Sequence, residues 1–182
     1  MKELSLNILD VAKNSVKAGA TAIHITLDEK DSVLTLVISD DGCGMSAETL
    51  ANVTDPFFTT RTTRSVGLGI PLLKLAAEQT GGSFEITSSD SPENHGTRTQ
   101  AVFHTDHIDF TPLGDIISTV TVLISGSPDT DWFFTHTTPE GAVELNTPEL
   151  REALGDVPLD NYEVIRWIEE YLREGYDAIR RQ

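Results

Sequence analysis

The sequence has few cysteines, few basic residues and no long apolar run. Its one cysteine, Cys43, excludes an internal disulfide and is typical of a protein from a reducing compartment. No apolar run approaches the roughly 18 residues that a membrane-spanning helix requires. The first residues are not followed by the apolar core of a signal peptide. We therefore expect a cytoplasmic location.

Basic residues are outnumbered by acidic ones, 13 to 29, and the formal net charge is −16. This excess argues against general binding to nucleic-acid backbones or to anionic membrane surfaces. The charge is uneven, since residues 104–182 contain 16 acidic and 5 basic residues and no lysine, against 13 and 8 in residues 1–103. We expect two parts, divided at 103/104, of which the second is an acidic α+β extension.

Hydrophobic periodicity predicts alternating helices and strands in residues 1–103. The predicted elements are a helix over 3–18, a hairpin over 21–39, short and longer helices over 46–52 and 67–79, a strand around 84–86 and a strand over 97–103. Residues 87–96 are predicted to be a polar loop. The irregular segment 42–66 is long for a compact domain, which is typical of a functional loop or lid.

The same patterns predict further elements in residues 104–182. They are a helix over 113–126 capped by Thr111, a hairpin of strands 132–137 and 142–146, a short helix from 147 to Gly155, and a final helix opened by Asp160.

Three motifs of residues 1–103 contain groups suited to binding and catalysis. Asp10, Asn14 and Lys17 lie on one polar stripe of the first helix. The segment Asp40-Asp41-Gly42-Cys43-Gly44 directly follows a buried strand, where a carboxylate can accept a hydrogen bond from an exocyclic amine. Gly67-Leu68-Gly69 opens a helix whose N–H groups can hold phosphate oxygens. Each motif alone has an ordinary alternative: a solvated helix face, an Asp-Gly turn, or a plain helix start.

The order and spacing of these motifs resemble the GHKL ATPase family, which groups histidine kinases, gyrase-type topoisomerases, heat-shock chaperones and mismatch-repair proteins. Asp55-Pro56-Phe57-Phe58-Thr59-Thr60-Arg61 resembles the phenylalanine box of the lid, and Gly96-Thr97 resembles the motif on the closing strand. The resemblance covers residues 3–103. It implies a two-layer α/β sandwich, with a mixed, mostly antiparallel sheet, helices on one face, and ATP between the helix layer and the lid.

The resemblance also implies binding roles for single residues. Asn14 would ligate Mg²⁺ that bridges the ATP phosphates, and Lys17 would point at phosphate. Asp40 would accept from the adenine amino group, supported by Thr97. The remaining binding positions lie beside the adenine or at the helix start and are Gly42, Gly44, Gly67, Leu68 and Gly69.

Asp10 and Arg61 are the candidate catalytic residues. ATP-hydrolysing and serine-kinase members carry Glu four residues before the asparagine as general base, and Asp10 is one methylene shorter. Arg61 stands where kinase-like lids place a cation that reaches the terminal phosphate. The chain starts at the ATP-binding helix, so we expect no domain with a phospho-accepting histidine.

Three functions remain open. The chain could phosphorylate or regulate a partner protein with Mg-ATP, act as a nucleotide-gated binding module with little turnover, or be a slow ATPase. We expect ATP and Mg²⁺ as cofactors and an unidentified protein partner that docks on the acidic extension. The resemblance also suggests hydrogenase-associated proteins as candidate partners.

Overall fold

The structure, a computed structural model, describes residues 3–57 and 67–181. Helices and strands alternate along these residues. The strands are β1 (Ala22–Lys30), β2 (Val33–Asp40), β3 (Ser83–Ser91), β4 (Asn94–His104), β5 (Asp131–Thr138) and β6 (Gly141–Asn146). The helices are α1 (Leu4–Lys17), α2 (Ala47–Asn52), α3 (Gly69–Gln79), α4 (Ile116–Gly126), α5 (Thr147–Leu154) and α6 (Tyr162–Arg180).

The strands described by the structure form one six-stranded sheet in the order β3-β4-β2-β1-β5-β6. All neighbours are antiparallel except β1 and β5, which are parallel. Helices α3, α1, α4 and α6 contact one another in that order and form one layer against the sheet. The predicted α/β sandwich with a mixed, mostly antiparallel sheet is confirmed.

The core lies between the sheet and this helix layer. Alternate residues of β2 (Leu34, Leu36 and Ile38) are buried, as expected for a strand with one covered face. Helix α1 contributes Leu4 and Ile8, which recur at helical spacing and are fully buried. The candidate site residues Asp10, Asn14 and Lys17 lie on a neighbouring stripe of the same helix, where Asp10 and Asn14 are half-buried and Lys17 is exposed.

The predicted polar loop over 87–96 is wrong, because β3 and β4 both run through it. Strand β3 continues to Ser91 and β4 begins at Asn94, so only two residues turn the hairpin. Ser88 lies opposite Thr97 in this ladder. Because β3 is an edge strand of the sheet, its small polar side chains can alternate with half-buried ones and still pair. Their composition alone therefore resembles a loop.

Two helix starts also differ from the prediction. Helix α4 begins at Ile116, and its cap is Asp115, which accepts from the N–H of Ser118 at 3.0 Å. Thr111 lies upstream of this helix. The final helix is capped by Asn161 and not by Asp160. In both cases the predicted cap and the observed cap are residue types that can accept from helix N–H groups. Composition alone therefore does not show which of them is the cap.

Residues 104–182 extend the sheet of residues 1–103. Trp132 and Phe134 of β5 are buried in the same core as Ile23 and Ile25 of β1, beside which they lie. The predicted hairpin of β5 and β6 is confirmed. The division of the chain into two parts at 103/104 stays a prediction.

Candidate functional site

A cavity of about 330 Å³ lies where the last turn of α1, the end of β2 and the start of α3 meet. Its volume is within the roughly 300–1,000 Å³ of small-molecule sites. Six of the predicted site residues line it. They are Asn14, Lys17, Asp40, Gly44, Gly67 and Thr97.

Asp40 is the carboxylate at this cavity, and both of its oxygens are held. Oδ2 accepts from the hydroxyl of Ser15 at 2.5 Å, and Oδ1 accepts from the N–H of Gly42 at 2.9 Å. A carboxylate oxygen has two lone-pair sites, so each can accept a further hydrogen bond. Ser15 and Gly42 thus orient the carboxylate without using all of its acceptor capacity.

The next carboxylate, Asp41, is turned away from the cavity. Its Oδ1 accepts from the N–H groups of Thr21 and Ala22 at 2.7 and 3.0 Å. Burial alone would raise the pKa of Asp41, but the hydrogen bonds from Thr21 and Ala22 outweigh it and lower that pKa. Asp41 therefore anchors the end of β2 to the start of β1, and Asp40 is left to face a ligand.

Thr97 lies opposite Asp40 on β4 and belongs to a hydroxyl network at the cavity wall. Its hydroxyl is 2.7 Å from that of Ser88, which also bonds the carbonyl of Gly96 at 3.0 Å. The N–H of Met45 donates to Ser88 at 2.8 Å. The network ties the loop after β2 to the β3–β4 hairpin and fixes the hydroxyl of Thr97 beside Asp40.

Gly44 requires glycine on two counts. Its φ is +71°, and a Cβ there would lie 1.8 Å from the carbonyl oxygen of Ser89. The loop is held further by the imidazole of His95, whose Nδ1 is 2.7 Å from the carbonyl oxygen of Gly42. These contacts place the glycine loop flat against the hairpin, so the backbone can form a wall of the cavity.

Asp10 lies beside the start of α3 and is not part of the cavity wall. A Cβ on Gly69 would be 2.9 Å from the Cβ of Asp10, so glycine allows the two helices to approach closely. Helix α3 begins at Gly69, two residues later than predicted, and no described side chain caps its first N–H groups. These donors are available to an anion, as at other helix starts.

The predicted residues therefore fall into four groups. Six of them line the cavity. Gly42, Leu68 and Gly69 do not, but each lies within two residues of a lining residue along the chain, and the N–H of Gly42 donates to Asp40. Asp10 is one layer away, next to Gly69. Arg61 and the second half of the predicted phenylalanine box lie outside the described residues.

Sequence reasoning missed several wall residues. Ser15 is 5% exposed and lies at helical spacing with the buried Leu4, Ile8 and Val11, although its hydroxyl is the partner of Asp40. Met45, Thr49 and Val53 line the cavity from the loop and α2, directly after the glycine motif. Their signal was their position in the predicted lid, but their irregular spacing did not show which side chains turn inward.

The cysteine of the glycine loop, Cys43, is exposed. No group of three potential metal ligands occurs among residues 3–57 and 67–181. Within the same residues, no helix is both long and apolar enough to cross a bilayer.

Comparison with known proteins identifies the family. Residues 2–107 match the family model of the histidine kinase-, DNA gyrase B- and HSP90-like ATPases. The chain belongs to this ATPase family. The sensor protein SrrB of Staphylococcus aureus (strain NCTC 8325 / PS 47) is 36% identical over 93 residues, which cover 48% of this chain and 16% of that protein. The chain thus matches a small part of this relative's length.

Two solved structures show the same fold over more of the chain. The ATPase domain of MutL from Aquifex aeolicus, complexed with ADP, has a TM-score of 0.54 at 12% identity and covers 85% of this chain and 68% of that one. The N-terminal domain of a DNA repair protein has a TM-score of 0.60 at 15% identity, with coverage of 80% and 53%. At these identities the likeness concerns the fold alone. Both matches extend beyond residues 2–107 of the ATPase family model.

Proposed function

We propose that the chain binds Mg-ATP in the cavity beside α1 and uses it to phosphorylate or otherwise regulate a partner protein. The observation that carries this proposal is the held carboxylate of Asp40, which faces the cavity opposite Thr97. An oriented acceptor at the wall of a cavity suits the exocyclic amine of adenine. Membership of the ATPase family supports the same assignment.

The donors around the cavity fit Mg-ATP. Asn14 offers an amide oxygen, which suits Mg²⁺, and Lys17 offers a cation for phosphate. The uncapped N–H groups at the start of α3 offer hydrogen bonds to phosphate oxygens. In this proposal the metal, when bound, neutralises phosphate charge, while Asn14, Lys17 and α3 orient the phosphates.

Asp10 is proposed as the general base for the transfer. Its carboxylate would take the proton of an acceptor hydroxyl as the oxygen bonds to the terminal phosphorus and ADP leaves. Its placement beside Gly69 supports this role, because the start of α3 is where the phosphates would lie. Arg61 is proposed as the cation that stabilises the transferred group.

A gated binding module is the second candidate. The cavity is lined by three residues of the predicted lid, Met45, Thr49 and Val53. A bound nucleotide would therefore contact the lid, and a partner could bind the lid in its nucleotide-bound conformation. A slow ATPase remains the third. The acidic segment 104–182 is the proposed docking region, and hydrogenase-associated proteins stay a proposal that rests on resemblance. A cytoplasmic location is likewise proposed.

Turnover of ATP labelled at the γ-phosphate distinguishes these candidates. We expect label transfer to a captured partner protein, loss of transfer with retained ATP affinity in Asp10→Asn, and loss of Mg²⁺ dependence of binding in Asn14→Ala. Binding without transfer or phosphate release would instead support the gated module. Phosphate release without transfer would support the ATPase. Equal turnover by Asp10→Asn and the unmodified chain would contradict the role of Asp10.

A further inference from the structure

A second cavity, of about 690 Å³, lies at the opposite end of the sheet from the nucleotide site. It is bounded by the end of β1, by β5, by the start of α4 and by the last turns of α6. Glu29 at this cavity pairs with Leu34 at one end of the β1–β2 hairpin, whereas Asp40 pairs with Ile23 at the other. The two cavities therefore have no lining residue in common.

Three hydrogen-bonded polar side chains, of which His136 and Tyr176 are buried and Glu29 is half-buried, form one side of this cavity. His136 is 3% exposed, and its Nδ1 is 2.8 Å from the hydroxyl oxygen of Tyr176. Its Nε2 is 2.9 Å from Oε1 of Glu29. The three residues come from β5, α6 and β1, so the sheet and the helix layer jointly hold the arrangement. Polar groups that converge at the wall of a cavity are typical of ligand sites.

The positions of the protons in the series Tyr176–His136–Glu29 make Glu29 the acceptor at its end. Burial, followed by the nearby carboxylate of Glu29, raises the pKa of Tyr176, so its hydroxyl keeps its proton. That hydroxyl can donate to Nδ1 of His136, which leaves Nε2 to donate to Glu29. The side chain of Glu29 is 38% exposed, and among the described residues only its Oε1 is hydrogen-bonded. Oε2 is available to a ligand in the cavity.

The rest of the described lining combines apolar walls with an excess of negative charge. Glu29, Asp115 and Glu140 contribute carboxylates, and Arg180 contributes one cation. Carboxylates outnumber cations even if His136 carries a second proton. The apolar walls are formed by residues of the start of α4 and of the end of α6, which are Leu113, Ile116, Ile117 and Ile179.

We propose that this cavity binds a small amphiphilic cation, a primary ammonium group on a compact apolar body. The ammonium group donates to the carboxylate of Glu29, and the apolar body packs on Leu113, Ile117 and Ile179. Neither part of this proposal depends on nucleotide binding at Asp40. A neutral ligand of the same shape would fill the apolar part but leave the charge of the oriented carboxylate without a counter-charge.

The test compares benzylammonium with benzyl alcohol, which has a hydroxyl in place of the ammonium. Both are titrated at pH 7 into the full chain, and binding is followed by the NMR signals of the His136 ring and of Tyr176. We expect both signals to shift, with benzylammonium at least about tenfold tighter than the alcohol, because the hydroxyl can donate to the carboxylate but does not neutralise its charge. This comparison needs no variant and so does not depend on how a variant folds.

Glu29→Gln should abolish the preference for the cation, whereas Glu144→Gln should keep it. Glu144 is an exposed residue of β6 outside the lining, so its variant matches the change in net charge. The proposal is overturned if the signals of His136 and Tyr176 do not respond to benzylammonium, if both probes bind equally, or if the preference survives Glu29→Gln.

Discussion

Asp40→Asn tests the nucleotide site with the smallest change of shape. The amide oxygen can still accept from the N–H of Gly42, and the hydroxyl of Ser15 can rotate to accept from the new NH₂ group. We therefore expect the fold to survive, with a loss of about 1 kcal/mol or less in the free energy of unfolding.

The effect on ATP should be much larger than the effect on stability. The variant replaces a charged acceptor by an NH₂ donor that faces the amine of adenine. A hydrogen bond to a charged group contributes about 1.5–3 kcal/mol, so the Kd for ATP should rise by about 10- to 150-fold. GTP carries a carbonyl oxygen where adenine has its amine. Its affinity should stay unchanged or improve, because the NH₂ group of the variant can donate to that oxygen.

Calorimetric titration of ATP and GTP into both proteins measures the two effects together. Asp28→Asn is the matched control, since Asp28 is an exposed residue of β1 outside the cavity and its variant loses the same charge. An unchanged Kd for ATP in a folded Asp40→Asn protein would refute the assignment of Asp40. An equal loss in Asp28→Asn would show that net charge, and not the contact, is responsible.

Two further predictions concern the loop that follows β2. Gly44→Ala should destabilise the fold by at least about 1–3 kcal/mol, the cost of the left-handed backbone alone, since its Cβ also meets the carbonyl of Ser89. Gly19→Ala has a similar φ, +75°, but open space, so in thermal unfolding it should lose less, and equal losses would contradict the close approach. Because hydrogen bonds outweigh burial and lower the pKa of Asp41, its contribution to stability is present above about pH 4 and lost as the pH falls below it. Asp41→Asn should therefore flatten the fall in unfolding free energy on acidification, and an unchanged slope would contradict this.

Local patterns were sufficient to predict most of the elements. The apolar spacing of Leu4, Ile8 and Val11 predicted α1, and alternation in β2 predicted a strand with one covered face. The ordered motifs predicted the family and six of the residues that line the cavity, because each motif is a short stretch of sequence at the end of an element.

Features that depend on pairing were harder to predict. The β3–β4 hairpin is rich in serine and threonine, which are also common in loops. Its strands are recognised by their antiparallel pairing, in which Ser88 lies opposite Thr97. The parallel pairing of β5 with β1 joins Phe134 to Ile25 across most of the chain, and no local signal names that neighbour. Ser15 has the spacing of the buried apolar residues of α1, and its hydrogen bond to Asp40 depends on a strand that is distant in sequence.

The acidic residues 104–182 have a structural role in addition to any docking role. They supply two strands of the sheet and the helices α4 and α6 of the helix layer. They also form most of the second cavity, where only Glu29 comes from residues 1–103. Asp115 and Glu140 of this acidic segment thus add negative charge around Glu29, the residue that would bind the proposed cation.

A structure of the chain with Mg²⁺ and a non-hydrolysable ATP analogue would locate the adenine, the metal and the phosphates together. We expect the adenine amine at about 3 Å from the carboxylate of Asp40, the metal at the amide oxygen of Asn14, and phosphate oxygens at the start of α3. A nucleotide bound elsewhere, or one whose adenine amine faces away from Asp40, would contradict this expectation.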